Sequence, residues 1–278
     1  MRVKIWGARG SVPAPGPETS RYGGNTSCVQ VTLSDGTALV LDAGTGIRNL
    51  GSSLGADSPR LNILLTHLHL DHIQGLMFFA PLFRQRTEIA IWGPAAAAEP
   101  LVDRIARYIS APLSPVEVSE LPCRLFAEDA PDREWQIGPA SIRAAPVNHR
   151  GPTLGYRITE GDSSLWYLPD HEPALTSEPS GLELAQGATL LLHDCQYTDD
   201  EYAAHVGWGH SSVSDALSFA RRAKAERVLL FHHDPMHSDD FLDWLHSTAT
   251  ATWAQLGGPG GAVDLATEHV ELELREHP

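Results

Sequence analysis

A chain of 278 residues with 42% apolar content can bury one large core, and a single domain over residues 1–278 is expected. No run approaches the roughly 20 apolar residues of a membrane-crossing helix, and the start MRVKIWGARGSVP lacks the apolar stretch of a secretory signal, so no membrane partner is expected. Against 20 basic residues stand 35 acidic ones, a net charge of −15 that repels long polyanions and counts against long nucleic acid as a partner.

In chain order, VKIW (3–6), CVQVTL (28–33), ALVLDAG (38–44) and LNILLTH (61–67) read as strands, several of them apolar on both faces. IQGLMFFAPLF (73–83) reads as a helix with a wide apolar face, EIAIWG (88–93) as a strand and AEPLVDRIARYI (98–109) as a helix. After an irregular stretch from 111 to 138, strands recur at SIRAAPV (141–147), TLGYRIT (153–159), SLWYL (164–168) and ATLLLHD (188–194). VSDALSFARRAKA (213–225) is a helix with serines placed to cap it, RVLLFHH (227–233) a strand, and SDDFLDWLHSTATATWAQL (238–256) a long helix. HVELEL (269–274) alternates like an edge strand. The pair ALVLDAG and LNILLTHLHLDH has the rhythm of SLWYLPD and ATLLLHD, which suits two sheets packed face to face. Cys28, Cys123 and Cys195 are odd in number and far apart, fitting a reducing cytoplasm better than a disulfide scaffold.

Fourteen histidines are more than packing requires, and their grouping carries the information. Thr66–His72 reads THLHLDH and offers four ligands, His67, His69, Asp71 and His72, where an apolar strand ends. Imidazoles packed beside a carboxylate are costly unless something binds them. That mixture suits Zn²⁺, Mn²⁺ or Fe, and the lack of a cysteine among the four argues against a structural zinc knuckle. Further on, FHHDPMH places His232 and His233 on opposite sides of an extended segment, so the two have different jobs.

HxHxDH at a strand end, downstream of LDAGTG, resembles the metallo-β-lactamase superfamily of metallohydrolases. The resemblance spans most of the chain and is nearest to the tRNA 3′-processing endonucleases and related phosphodiesterases. VNHRGPTLGYRI matches the family's third histidine at His149, LWYLPDHEP its metal-bridging aspartate at Asp170, and the position after RVLLF its last ligand at His232. LLLHDCQ corresponds to the HEAT motif of the tRNA-processing group, with His193 and Asp194, and GWGHSS to its GHS motif, with His210. The resemblance implies an α/β fold, a four-layer αββα sandwich with metal at the sheet edges. It also implies two divalent ions per chain, Zn²⁺ first and Mn²⁺ or Fe as alternatives. His67, His69, His149 and Asp170 would hold one ion, and Asp71, His72, Asp170 and His232 the other. Electron-transfer di-iron relatives carry Glu where His69 stands, so hydrolysis is favoured over redox chemistry. Asp71 would also orient a bridging nucleophilic water. His210 would be the general acid, oriented by Asp194 in place of the family's longer Glu.

The activity implied is phosphoric diester hydrolysis, which two metals roughly 3.5–4 Å apart suit by steadying attacking and departing oxygens. Small phosphodiesters such as cyclic nucleotides fit best. The basic arm with which the tRNA-processing enzymes grip tRNA would fall at 111–138, which here is short and acidic. Processing of tRNA 3′ ends is the alternative, followed by lactone or thioester hydrolysis in branches that need not keep a His210–Asp194 pair. A non-enzymatic metal carrier would lack ligands, and all seven positions are filled. GARGSVP and RYGGNTSC form either a rim loop in which Asn25 or Thr26 contacts substrate, or a tight turn through Gly23–Gly24. His171 is a neighbour of the site or exposed, and His193 is as readily a satisfied core group as a chemical one. His233 belongs behind the ligands or at a subunit contact, His237 in solvent, and His205, His246, His269 and His277 on the surface. Members of this branch are often homodimers, which makes a second copy of the chain a candidate partner.

Overall fold

The computed structural model describes residues 1–55, 60–173 and 181–274; His277 lies outside them. The strands are β1 (Arg2–Gly7), β2 (Cys28–Thr32), β3 (Ala38–Leu41), β4 (Arg60–Leu64), β5 (Glu88–Gly93), β6 (Arg124–Asp129) and β7 (Trp135–Ile137), then β8 (Ala140–Pro146), β9 (Leu154–Glu160), β10 (Ser163–Leu168), β11 (Leu190–Asp194), β12 (Arg227–Phe231), β13 (Val263–Leu265) and β14 (Glu271–Glu273). The helices are α1 (Gly46–Ser53), α2 (Leu70–Ile73), α3 (Leu101–Tyr108), α4 (Leu182–Ala185), α5 (Asp199–Tyr202), α6 (Val213–Ala223) and α7 (Asp239–Gln255).

Two seven-stranded sheets form, in the orders β14-β1-β2-β3-β4-β5-β6 and β13-β12-β11-β10-β9-β8-β7. Each is antiparallel on one side and parallel on the other: β3 to β6 run parallel in the first, β10 to β13 in the second. The chain passes from one sheet to the other between β6 and β7 and returns between β13 and β14, so the sheets share both flanks. The expected half-to-half rhythm corresponds to parallel pairs, β3 beside β4 and β10 beside β11.

The layers follow from strand periodicity. In β10, Leu165 and Tyr167 turn into the space between the sheets, while Trp166 and Leu168 turn outward under the helices. Both faces of the strand are buried, which is why SLWYL shows no polar alternation. The inter-sheet layer joins Val29, Val31, Leu39 and Leu41 to Ile158, Leu192, Leu229 and Phe231. Outside it, α6 and α7 cover the second sheet, and α1 and α3 cover the first. The result is the expected four-layer αββα sandwich. Ser212 and Ser238 cap α6 and α7, their hydroxyls accepting from Asp215 N–H and Phe241 N–H at 3.2 Å each. No described helix is long and apolar enough to cross a membrane.

Two expectations change. Residues 73–83 do not form one helix: α2 stops at Ile73, and two 3₁₀ turns follow, Leu76–Phe78 and Ala80–Phe83. Pro81 lacks the N–H that a continuing helix needs. Gly75 lies so close to Gly44 that a Cβ would come 2.0 Å from the Gly44 carbonyl oxygen. The stretch 111–138, expected irregular, carries β6 and β7 at the sheet flanks, where exposed polar residues such as Glu128 and Asp129 in β6 and Gln136 in β7 hide the strand pattern.

Leu192→Ala removes side-chain volume from the inter-sheet layer and should cost roughly 2–5 kcal/mol, read as a lower urea midpoint with unchanged slope. Leu113→Ala, 62% exposed, should stay within about 0.5 kcal/mol. Equal small effects would show that this layer is not the shared core.

Candidate metal centre

The cluster forms where strands of both sheets end. Beyond β4 the chain stays extended through His69 (φ −65°, ψ 151°), so His67 and His69 share a side and Leu68 takes the other. Asp71 and His72 follow in the single turn of α2. His149 lies after β8, Asp170 after β10 and His232 after β12. His67, Asp71, His72, Asp170 and His232 are all buried.

Two groups meet at Asp170. His67 Nε2 and His149 Nε2 lie 3.9 and 3.7 Å from Asp170 Oδ1, and His69 Nδ1 lies 3.3 Å from His149 Nε2. On the other side, His72 Nε2 is 3.0 Å from Asp170 Oδ2 and 3.3 Å from Asp71 Oδ2. His232 Nε2 is 3.2 Å from Asp71 Oδ2 and 3.4 Å from Asp170 Oδ1. His67 Nε2, His72 Nε2 and Asp170 Oδ2 are nevertheless buried without a hydrogen-bond partner. Ligating atoms this close, three of them buried and directed at no partner, share focal points, which is what a divalent cation requires of its ligands.

The far side of four of the imidazoles is fixed. His67 Nδ1 is 3.0 Å from Thr66 Oγ1, His72 Nδ1 2.8 Å from Asp42, His149 Nδ1 2.8 Å from Gly209 O and His232 Nδ1 3.1 Å from Gln196 Oε1. With Nδ1 donating, Nε2 is the atom that each of these four rings turns to the cluster. Burial, followed by the neighbouring His72, keeps His67 well below the usual imidazole range, and burial likewise lowers His69 and His149, so these three rings are held neutral, the form that a metal would need. Burial also opposes a proton on His72, but Asp170, Asp71 and Asp42 outweigh it and raise that group well above its usual range. The pocket around His72 therefore favours positive charge. Imidazole and carboxylate without thiolate fit a borderline divalent metal.

Several groups that hold the centre were not among the sequence candidates. Asp42 carries a positive φ of 57° and accepts from Thr66 N–H and Oγ1–H and from Tyr167 O–H. Its signal was LDAG, an aspartate closing an apolar strand before glycine. Arg9 is fully buried and ties its loop to the region after β12, donating to Asp234 O and His237 O. Next to it, a Cβ on Gly10 would stand 2.3 Å from His232 Nδ1, so this backbone forms the seat of His232. Ser11 (φ 61°) donates its N–H to Asp71 Oδ2 at 2.8 Å.

His210 and Asp194 pair at 2.7 Å, so the shorter carboxylate reaches. His171 N–H, Gln196 N–H and Ser211 N–H all donate to Asp194 and fix its orientation. Burial pushes the His210 imidazole down, but Asp194, with Asp170 and Asp71 behind it, raises it to about 9. Buried Glu172 accepts from Gly207 N–H, Gly209 N–H and Tyr202 O–H and so shapes the loop that carries His210. A cavity of about 420 Å³ opens onto His69, Asp71, Asp170, His210 and His232, with Ser11 and Leu70 at its edge.

Asn25 and Thr26 do not line this cavity. Asn25 bonds Glu268 through both N–H and side chain, and buried Thr26 exchanges hydrogen bonds with Thr45, so the turn reading describes them. His171 is buried rather than exposed, its Nδ1 accepting from Asn148 N–H. His193 is also buried, with Nδ1 donating to Asp194 O. His233 donates to Ala266 O, and burial holds it down to about 3. His237, expected in solvent, is 4% exposed because Arg9 draws its carbonyl inward while Glu201 meets its ring at 3.0 Å.

The sequence profile described as "Beta-lactamase superfamily domain" matches residues 37–233. A protein named ribonuclease Z, from Mycobacterium sp. (strain KMS), is 28% identical over 266 residues, which covers 86% of this chain and 87% of the relative. The metallo-beta-lactamase fold protein YhfI from Bacillus subtilis superposes with a TM-score of 0.71 at 21% identity, over 98% of this chain and 99% of that one. The short form of human tRNase Z gives 0.69 at 21%, over 99% and 100%. The acidic charge led to the expectation that long nucleic acid is a poor partner. A relative that is named a ribonuclease and matches most of this chain removes that exclusion.

Asp170→Ala removes the carboxylate common to both groups and should strip metal from the purified protein by mass spectrometry, whereas full retention would dissolve the cluster as a metal centre. Asp42→Ala leaves His72 unheld and should weaken metal affinity about 10–100-fold, measured by competition with a chelating dye.

Proposed function

We propose that this chain, which belongs to the beta-lactamase superfamily, is a dinuclear-metal hydrolase of phosphodiesters, acting first on small ones such as cyclic nucleotides. The observation that carries this reading is one cavity lined both by His69, Asp71, Asp170 and His232 of the cluster and by His210, which Asp194 holds from behind. His67, His69, His149 and Asp170 would hold one ion, and Asp71, His72, Asp170 and His232 the other, with Zn²⁺ first and Mn²⁺ or Fe as alternatives. Two such ions, when bound, supply an acidified water and positive charge for the phosphoryl oxygens.

The chain's own groups do the rest. Ser11 N–H fixes Asp71 Oδ2, and Oδ1 has no hydrogen-bond partner among the described residues, which leaves it to orient the attacking water. Asp194 holds Nδ1 of His210, so the opposite nitrogen, Nε2, presents the proton that the departing alkoxide needs. Asp194 remains hydrogen-bonded throughout, steadying the imidazole before and after transfer. The apolar neighbours Leu68 and Leu70 limit water at the cavity edge.

A small substrate is supported by a cavity sized for one small molecule. It is also supported by residues 111–138, whose β6 and β7 lie in the sheets rather than in an arm for RNA. The second reading, RNA 3′-end processing, rests on the ribonuclease Z relative. Thioester hydrolysis gives His210–Asp194 little to do, since a thiolate departs with less need of a proton, and no observation favours lactones over phosphodiesters.

With metal supplied, a panel of cyclic nucleotides, linear diesters, pre-tRNA and lactones should show fastest turnover on small phosphodiesters. Faster cleavage of pre-tRNA would replace the first reading with the second, and activity on lactones alone would remove both. His210→Ala should slow diesters with alkoxide leaving groups by about 10²–10⁴ and p-nitrophenyl esters far less. Equal slowing would deny it the role of acid.

A further inference from the structure

We infer that a second cavity, on the far side of His69 from the first, is a subsite for a terminal phosphate carried elsewhere on the substrate and gripped by Arg104 and Arg150. The inference rests on the phosphodiesterase reading and specifies which diesters that site prefers. The cavity holds about 250 Å³ and shares His69 and Leu68 with the catalytic one, so a ligand can lie across that ridge with one end at the cluster. Pro94, Ala96, Gly151 and Pro152 make up its apolar floor.

Its charge departs from that of the chain. Acidic residues outnumber basic ones 35 to 20 overall, yet this lining contains two arginines and no carboxylate. Arg104 is anchored through one nitrogen: Nη2 donates to Pro94 O at 2.6 Å and to Asp129 at 3.1 Å. Its side chain is only 11% exposed, and Nε is buried with no hydrogen-bond partner among the described residues. A buried guanidinium with an unused donor is costly unless a ligand completes it. Arg150 is anchored at the other end, Nε donating to Gly207 O at 2.9 Å, and its two terminal nitrogens have no partner among the described residues. Each arginine is thus held by part of its fork with the remainder free. Two such forks suit a dianionic phosphomonoester, whose three terminal oxygens accept several charge-assisted hydrogen bonds. A carboxylate offers fewer acceptors and half the charge.

The test uses two chromogenic diesters, thymidine 5′-(p-nitrophenyl phosphate) with and without a 3′-phosphate, on the metal-loaded protein. The 3′-phosphate should raise kcat/KM about tenfold, the scale of one well-made charged contact. Arg150→Ala and Arg104→Gln should each bring the ratio of the two substrates close to one, whereas Arg86→Ala, at an exposed position before the start of β5 and so away from the strand ends that form the site, should preserve it. A ratio near one in the unaltered protein would overturn the proposal, as would substitutions that slow both substrates equally, the mark of a structural role. Calorimetric binding of adenosine 3′,5′-bisphosphate provides a readout without turnover and should weaken about tenfold in Arg150→Ala. If neither diester is hydrolysed while this binding still depends on both arginines, the phosphodiesterase reading falls and the phosphate subsite stands. A trinucleotide that competes as well as the bisphosphate would overturn the assignment to a terminal phosphate, because its inner phosphates are monoanionic diesters.

Discussion

The centre depends on one fully buried carboxylate, Asp42. Such a group is tolerated only when its oxygens are filled by donors. Here those donors come from both sheets: Thr66 and His72 follow β4 in the first, and Tyr167 reaches across from β10 in the second. Satisfying Asp42 therefore locks the facing sheets together at the strand ends that bear the ligands. The same contacts orient His72 directly and His67 through Thr66. Tyr156, which donates across the sheets to Leu65 O, adds a second tie one residue earlier in the same segment. Fold stability and ligand geometry are in this sense one interaction.

The two halves explain why the ligands converge. In each sheet the parallel strands end on the same side, and an aspartate follows the first of the central pair, Asp42 after β3 and Asp170 after β10. These aspartates at corresponding positions differ in use. Asp42 turns its oxygens to Thr66, Tyr167 and the back of His72, whereas Asp170 presents its own to the fronts of His67, His72, His149 and His232. One holds the ligands from behind and the other shares their focus.

The sequence made legible whatever periodicity or a dense motif encodes. Buried strands such as SLWYL and RVLLF and the cluster THLHLDH stand out because apolar runs end abruptly in ligating groups. Strands β6 and β7 did not, since a flanking strand half in solvent keeps polar residues that blur the alternation. Residues 73–83 misread as a helix because apolar content overrode the local punctuation of Gly75 and Pro81. Asp42, Arg9 and Glu172 were missed for a different reason. Each works by accepting or donating to groups far along the chain, as Arg9 does to His237; LDAG marks Asp42 as a strand-closing aspartate but, like the surroundings of the other two, does not record its partners. His237 was misplaced by the same blindness: its acidic neighbours suggest solvent, while its burial is set by an arginine 228 residues away.

Net charge proved the coarsest of the sequence arguments, and its failure has a physical cause. At physiological salt a surface charge is felt over only about 8–10 Å, so a total of −15 says little about any one patch. What a phosphate would meet at the cluster is the local sum of its side chains and any cations they hold. At the neighbouring ridge it meets Arg104 and Arg150 with no carboxylate in the lining. An acidic chain can therefore hold an anionic substrate, provided the attractive charge is concentrated where the substrate lies. Length alone then does not decide what binds. A small diester needs one such locus, whereas an RNA needs several along its path, and the positions of the cations carry that distinction better than their number.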